Sequence, residues 1–268
     1  MEFEGAVAVI NGAASGIGRS TALALAKLGA DVVVADIDDT GTDKVRHEIE
    51  DLGRRVLPVH CNVSQDADVE NLAARTISTF GRVDLLMNNV GVMLEGEAEK
   101  ISMIDWEWAL NTNLLSVIRG VHAFLPLMLK RGSGHIINTS SMGGLIPDWG
   151  SPTLATKTIP YITAKFGVVG FSEGLHGYLR PKGIMVSVLC PGGVLTNFQS
   201  NVRYAHEEPQ NNDTKLKTPD DVDKGEMMKP DEVARIVVKA IKERRFLILT
   251  HPGSRERLLE RGQDLLSL

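Results

Sequence analysis

The sequence is poor in the residues that staple small folds or bind metals. It has two cysteines, Cys61 and Cys190, which are too few for a disulfide scaffold or for a zinc site with four thiolates. Its seven histidines show no paired spacing typical of metal ligands. We therefore expect no metal site, and we expect both cysteines to be small buried residues rather than nucleophiles.

An excess of positive charge is also absent. The 29 lysine and arginine residues are outnumbered by 34 aspartate and glutamate residues, which gives a formal net charge of −5 and argues against a broad basic surface for nucleic acid. No apolar run approaches the roughly 18 residues that a membrane span requires. The first residues carry Glu2 and Glu4 without the basic region of a signal peptide. We expect a cytoplasmic protein with neither a membrane nor a nucleic-acid partner.

What the sequence does contain is enough apolar material for a large core. Of its 268 residues, 43% are hydrophobic and 24% are charged, which is typical of a soluble globular chain. Short strands that are apolar throughout alternate with helical patterns, and this rhythm predicts a doubly wound α/β sheet in a single domain over residues 1–268. The predicted strands are Ala6–Ile10, Asp31–Ala35, Val56–His60, Leu85–Met87, His135–Thr139, Ile184–Leu189 and Phe246–Leu249. The predicted helices are Ile17–Leu28, Asp39–Leu52, Ala67–Phe80, Asp105–Arg131, Tyr161–Leu179 and Asp231–Lys242.

The predicted helix Asp105–Arg131 is apolar on most of its faces. A helix of this kind must be buried on several sides. We interpret it as an interface in a homo-oligomer, either a dimer or a homotetramer. Additional packing within the chain is the alternative.

A glycine-rich turn, Asn11–Gly18, lies directly between the first strand and the first helix. Gly12, Gly16 and Gly18 allow a tight turn and a close approach of the backbone to a pyrophosphate, and the helix N-terminus offers unpaired N–H groups to an anion. In this strand–turn–helix context, the glycine spacing predicts a dinucleotide site.

Asp36 stands at the end of the second predicted strand. A carboxylate there can accept hydrogen bonds from the adenosine ribose hydroxyls and would repel a 2′-phosphate. No lysine or arginine follows immediately, so we predict NAD rather than NADP as the cofactor. The alternative is a helix-capping role, which Asp38 or Asp39 could fill equally well.

Further motifs follow in chain order, and with the glycine turn they resemble the short-chain dehydrogenase/reductase family from about residue 5 to about residue 250. They are Asn88-Asn89-Val90-Gly91, Asn113, Asn138-Thr139-Ser140-Ser141, Tyr161-Ile162-Thr163-Ala164-Lys165 and Pro191-Gly192-Gly193-Val194-Leu195-Thr196. The resemblance implies a Rossmann sheet of seven parallel strands in the order 3-2-1-4-5-6-7, with helices on both faces. It implies NAD binding by Gly12, Ser15, Gly16, Ile17, Gly18, Asp36, Ile37, Asn62, Val63, Asn89, Gly91, Tyr161, Lys165, Pro191, Gly192, Val194 and Thr196.

The same resemblance implies that Asn113, Ser141, Tyr161 and Lys165 are catalytic. Tyr161 and Lys165 are four residues apart on one predicted helix, so they share a face. A tyrosine is a poor base near its ordinary pKa of ~10, and a positive charge within ~4–6 Å lowers that pKa. We therefore expect Lys165 to lower the pKa of Tyr161, the general base. Ser141 would hold the substrate oxygen, and Asn113 would order a water that relays protons.

Two competing assignments need comparison. Tyr178 and Lys182 repeat the tyrosine–lysine spacing, but Pro181 lies between them and disfavours helix at the residue before it, so we expect no shared face there. Ser140 is the alternative to Ser141 as the catalytic serine, and the register of the motif favours Ser141.

The chain departs from the family pattern at Asn11, Asn62 and Val90, where Thr, Asp and Ala are usual. The segment between Ser141 and Tyr161 is also longer than usual. Within it, Trp149 and Leu154 could line an aromatic or alicyclic pocket, or they could pack the loop.

Residues 194–229 form the predicted substrate region, in which the polar segment Arg203–Lys229 is a candidate lid. Residues 251–268 are expected to be a tail or a helix.

These observations predict an NAD-dependent short-chain alcohol dehydrogenase/reductase. It would interconvert a secondary alcohol and a ketone by hydride transfer, on a small-molecule substrate that is bulky and hydrophobic, aromatic or alicyclic. The alternatives are an enzyme of the same fold that uses bound NAD for dehydration or epimerisation, and a non-catalytic NAD-binding protein.

Overall fold

A seven-stranded parallel β-sheet forms the centre of the computed structural model, which describes residues 2–149, 152–198, 202–205 and 227–267. Numbered in chain order, the strands of this sheet are β1 (Val7–Asn11), β2 (Asp31–Asp36), β3 (Val56–His60), β4 (Leu85–Asn88), β6 (Gly134–Thr139), β7 (Ile184–Cys190) and β9 (Leu247–Leu249). A separate parallel pair is formed by β5 (Met93–Glu95) and β8 (Val202–Tyr204). The α-helices are α1 (Gly16–Ala26), α2 (Asp39–Glu50), α3 (Asp66–Phe80), α4 (Met103–Leu110), α5 (Ser116–Arg131), α6 (Pro152–Lys157), α7 (Ile159–Leu179), α8 (Pro230–Lys242) and α9 (Ser254–Ser267).

The strand order of the large sheet is β3-β2-β1-β4-β6-β7-β9. Counted within the sheet, this is the order 3-2-1-4-5-6-7, so the predicted doubly wound Rossmann arrangement is confirmed. The chain winds outward from β1 to β3 and then returns to place β4 on the other side of β1. The crevice at the carboxyl ends of β1 and β4 is the switch point where such sheets bind ligands.

Both faces of the sheet are buried, which explains why its strands are apolar throughout. On one face, Ala8 and Ile10 of β1 pack with residues of α1, α2 and α8. On the other face, Val7 and Val9 pack with residues of α3 and α5. The two clusters hold the sheet rigidly beneath the switch point.

The predicted long helix Asp105–Arg131 is present as a continuous helical segment, but it begins earlier, at Met103, and is interrupted by a π-helical turn, Asn111–Leu115. By length and composition alone, the expectation that no segment is long and apolar enough to span a membrane is wrong. Met103–Arg131 is 29 residues long and apolar enough to pass that test, which a core helix passes equally well. Here the segment packs against α3, α7 and the sheet.

The structure adds elements that the sequence pattern did not predict. The candidate lid begins inside a strand, because β8 includes Arg203 and pairs with β5. Residues 206–226, most of that candidate lid, lie outside the described part of the chain. Of the two possibilities for residues 251–268, the helix is correct, since α9 occupies Ser254–Ser267.

Candidate active site

The glycine turn between β1 and α1 is shaped to receive a phosphate. Gly12 has a φ of +73°, a conformation that glycine adopts without strain, and a Cβ on Gly18 would lie 2.0 Å from the carbonyl oxygen of Gly12. No side chain caps the N-terminus of α1 at Ser15, so the N–H groups of its first turn, at Gly16, Ile17 and Gly18, can meet an anion. The turn therefore fits a dinucleotide pyrophosphate.

Asp36 lies at the carboxyl end of β2, beside this turn. Its carboxylate accepts hydrogen bonds from the N–H groups of Ala14, at 3.0 Å, and Asp38, at 3.2 Å. The capping role considered for Asp36 belongs to Asp38, which accepts from the N–H group of Gly41 at the start of α2. Ile37 follows with 65% of its surface exposed, so the carboxylate and this side chain border solvent where an adenosine could lie.

Two of the residues predicted to bind NAD follow β3. Asn62 is half-buried, and its side-chain oxygen accepts a hydrogen bond from the N–H group of Ser64, at 3.0 Å. Val63 is buried in the core. Asn62 is thus held in a local turn, with its own N–H group donated to Asp68.

A chain of buried amides crosses the sheet at the switch point. Asn11 donates to Asn88 at 3.0 Å, Asn88 donates to Asn138 at 3.0 Å, and Asn138 donates to the hydroxyl of Ser172 on α7 at 3.0 Å. The departure from the family pattern at Asn11 therefore preserves a hydrogen bond, because its amide reaches Asn88. The network ties the glycine turn to the helix that carries Tyr161.

Asn89 and Asn113 fix the backbone after β4. Asn89 donates to the carbonyl oxygen of Gly12 at 3.3 Å. Asn113, in the π-helical turn, accepts from the N–H group of Val92 at 3.0 Å and donates to its carbonyl oxygen at 3.1 Å. A Cβ on Gly91 would lie 3.4 Å from both Asn113 Oδ1 and Lys165 Nζ. Asn113 thus braces the segment that brings Gly91 to the centre of the site.

Ser141, Tyr161 and Lys165 come together at the carboxyl end of β6. The Ser141 hydroxyl forms a hydrogen bond with the phenol of Tyr161. Lys165 is 2% exposed, and its Nζ atom donates to the carbonyl oxygen of Thr139 at 3.0 Å. Ser140 points elsewhere, since its hydroxyl donates to the carbonyl oxygen of Lys165 at 2.8 Å. The geometry favours Ser141 over Ser140 as the serine that faces a substrate.

The pKa values of Tyr161 and Lys165 do not follow the expectation from their spacing. Burial raises the pKa of Tyr161 to about 12, against the effect of the hydrogen bond from Ser141. Burial also lowers the pKa of Lys165 to about 8. The pKa shift of Tyr161 is thus opposite in direction to the lowering expected from Lys165, because loss of solvent around the phenol outweighs the hydrogen bond from Ser141.

The second tyrosine–lysine pair corrects another expectation. The 3₁₀ turn Arg180–Lys182 continues from α7 and places Lys182 Nζ 3.2 Å from the centre of the Tyr178 ring. The α-helix does end before Pro181, at Leu179, but the expectation that Tyr178 and Lys182 share no face is wrong. Tyr178 is nevertheless 58% exposed and precedes the start of β7, at the opposite edge of the sheet from Tyr161.

The segment from Pro191 to Phe198 spans the cleft between the glycine turn and Tyr161. The side chain of Thr196 lies over Gly16, where an added Cβ would come within 2.9 Å of its Cγ2 atom. The ring of Phe198 lies 5.7 Å from the ring of Tyr161, centre to centre. The motif analysis missed Phe198, although an aromatic side chain two residues after Thr196 was the available signal.

Two remaining expectations concern Trp149 and the cysteines. Trp149 packs against the buried cluster that includes Leu145 and Ile146, so the structure favours the loop-packing alternative, while the side chain of Leu154 lies outside the described part of the chain. Burial raises the pKa of both Cys61 and Cys190 to about 12, as inert buried thiols require.

Comparison with known proteins agrees with this arrangement. The family model described as short chain dehydrogenase matches residues 6–207. A short-chain dehydrogenase/reductase from Burkholderia phymatum, solved in complex with NAD, is 34% identical with a TM-score of 0.85, over 99% of this chain and 95% of that one. A dehydrogenase/reductase of CLA biosynthesis from Lactiplantibacillus plantarum is 31% identical over 94% of this chain and 90% of its own length. A cyclohexanol dehydrogenase from Acinetobacter sp. strain SE19 is 36% identical over 73% of this chain and 75% of its own length.

Proposed function

This chain belongs to the short-chain dehydrogenase family, and on that basis we propose that it is an NAD-dependent dehydrogenase that interconverts a secondary alcohol and a ketone. The observation that carries the proposal is the grouping of Ser141, Tyr161 and Lys165 at the switch point. Such a group can hold an oxygen atom and exchange a proton with it.

Each side chain has a defined task in this proposal. Ser141 holds the substrate oxygen by a hydrogen bond, and Tyr161 takes the hydroxyl proton in oxidation or returns it in reduction. Lys165 holds the ribose next to the nicotinamide, and Asn113 orders a water that relays protons. When bound, a nicotinamide dinucleotide accepts or supplies the hydride.

The preference for NAD rests on Asp36. Its carboxylate is fixed by two backbone N–H groups beside the glycine turn, where a 2′-phosphate would meet like charge. The relative from Burkholderia phymatum, which was solved with NAD, supports the same choice.

For the substrate, we propose a bulky hydrophobic alcohol with an alicyclic or aromatic ring. Phe198 gives the space beside Tyr161 an aromatic wall. The similarity to a cyclohexanol dehydrogenase supports the alicyclic option.

We further propose that the chain works as a homo-oligomer. Ile104 and Leu115, on the segment Met103–Arg131, are 71% and 42% exposed. A second copy of the chain would remove this apolar surface from water.

The proposal is tested with a panel of secondary alcohols that includes cyclohexanol and 1-phenylethanol, scored by NADH absorbance with NAD or NADP. We expect turnover with NAD, and we expect Tyr161→Phe to bind NADH but to lose more than about a hundredfold in kcat. The matched control is Tyr178→Phe, which changes the same atoms in the second tyrosine–lysine pair and should retain full activity. Substantial activity of Tyr161→Phe, or substrate conversion without net NADH, would contradict the proposal.

A further inference from the structure

His251, two residues after the end of β9, is hydrogen-bonded to the backbone of the turn that follows β7. Its Nδ1 atom accepts a hydrogen bond from the N–H group of Gly192 at 3.2 Å, and its Nε2 atom lies 2.9 Å from the carbonyl oxygen of Gly193. The hydroxyl of Thr250 also lies 2.7 Å from Nδ1. These partners assign the neutral tautomer with the proton on Nε2, so that Nε2 donates and Nδ1 accepts.

Hydrogen bonds hold two peptide planes of the turn, the Pro191–Gly192 plane and the Gly193–Val194 plane. The carbonyl oxygen of Pro191 accepts from the N–H group of Met142 at 2.8 Å, and the N–H group of Gly192 in the same plane donates to His251. In the plane that joins Gly193 to Val194, the carbonyl oxygen of Gly193 accepts hydrogen bonds from the N–H group of Met228, at 3.0 Å, and from His251. Because a trans peptide is planar, these bonds also fix the N–H group of Val194, which points the opposite way from the Gly193 carbonyl.

The close fit of His251 depends on the glycine at 192. A Cβ there would lie 2.9 Å from His251 Nδ1 and 2.9 Å from Trp149 Nε1. The ring of Trp149 meets the His251 ring edge-on at 6.4 Å, and the guanidinium group of Arg257 on α9 lies 4.7 Å from the Trp149 ring centre. The start of the C-terminal segment therefore packs against both the turn and the loop that precedes Tyr161.

The direction of this turn determines where the next side chains lie. Phe198 is five positions after Gly193; along this stretch Thr196 lies over Gly16, and Phe198 lies beside Tyr161. We propose that His251 is a positioning residue for the dinucleotide: by holding Gly192 and Gly193, it orients the backbone of Val194 and the side chain of Thr196 toward the nicotinamide half of the cofactor. This inference rests on the proposed function and extends it to a residue outside the family motifs.

Three substitutions of His251 distinguish the contributions of its hydrogen bonds to Gly192 and Gly193. His251→Asn can keep an acceptor near the Nδ1 position, His251→Gln can keep a donor near the Nε2 position, and His251→Phe fills the space but keeps neither. We expect the Kd for NADH, measured by fluorescence titration, to rise about tenfold in the Phe variant and about threefold in the other two, since each retains one bond. The KM for the alcohol should change by less than about twofold in all three variants.

The control is His47→Gln, at a histidine exposed on α2, which should leave the Kd for NADH unchanged. An unchanged Kd in His251→Phe would overturn the proposal. Equal increases of the Kd for NADH in all three variants, in proportion to their loss of thermal stability, would also overturn the proposal, because that pattern indicates a structural role only. If His251→Phe does not fold, the Asn and Gln variants still decide the question. Failure of the unaltered protein to bind NADH would instead refute the proposed function itself.

Discussion

The Nζ atom of Lys165 lies 5.6 Å from the centre of the Tyr161 ring, and burial shifts the pKa values of the two groups in opposite directions. The pKa of Tyr161 is raised to about 12, so the phenol is protonated at neutral pH and can donate a proton to a ketone. The pKa of Lys165 is lowered to about 8, so its ammonium group loses its charge at mildly alkaline pH.

Alcohol oxidation should therefore speed up as the pH rises. Oxidation requires the phenolate of Tyr161, and the phenolate fraction grows about tenfold per pH unit below the pKa. We expect kcat/KM for oxidation to increase steadily between about pH 7 and pH 10, as measured by initial rates of NADH formation. Ketone reduction, which uses the protonated phenol, provides the control and should lack this rise. An oxidation profile that is already flat from pH 7 upward would contradict the prediction.

The preference for NAD over NADP should depend on Asp36 and not on the nearby Asp38. Asp36→Ala removes the negative charge that would face a 2′-phosphate, so we expect the NAD-to-NADP ratio of kcat/KM to fall at least about tenfold. Asp38→Ala is the matched control: it deletes the cap of α2, should lower the free energy of unfolding by about 1 kcal/mol, and should leave the ratio unchanged. Equal ratios in Asp36→Ala and the unaltered protein would show that the carboxylate does not select the cofactor.

Some features of the site were predictable because they depend on local spacing. Tyr161 and Lys165 share a helix face through their separation of four residues, and the doubly wound parallel sheet follows from the alternation of strands and helices. The sign of the Tyr161 pKa shift was not predictable in this way. Spacing indicates which groups are neighbours, but the shift depends on how much water the surrounding side chains exclude.

Other features were missed because they join distant parts of the chain. His251 and Gly192 are 59 positions apart, and the hydrogen bond between them depends on the packing of β9 against β7. Phe198 reaches Tyr161 only because the segment after β7 crosses the cleft. No periodicity or motif reports such contacts, since they arise when the sheet has formed.

The exposed apolar face of Met103–Arg131 should mediate assembly. Ile104→Glu combined with Leu115→Glu places two charges on this face, and we expect the sedimentation coefficient to fall to that of a 29.1 kDa monomer. Leu52→Glu, at a residue 37% exposed after α2, is the control and should leave assembly intact. A monomeric unaltered protein at micromolar concentration would contradict the assignment of this face.

His135, buried at the start of β6, should make the fold sensitive to acid. Its Nε2 atom lies 2.7 Å from the hydroxyl oxygen of Ser187, whose own proton goes to the carbonyl oxygen of Arg245, so Nε2 donates to Ser187. Burial lowers its pKa from 6.5 to about 4. Between these values the unfolded chain binds the proton more readily, so the free energy of unfolding should fall by up to about 3 kcal/mol as the pH drops from 6.5 to 4. Urea unfolding across this range measures the effect: His135→Gln should be less stable at pH 7 but should lose less stability in acid, whereas the exposed His47→Gln should follow the unaltered protein. If the curves of His135→Gln and the unaltered protein run parallel, the acid sensitivity arises from other groups.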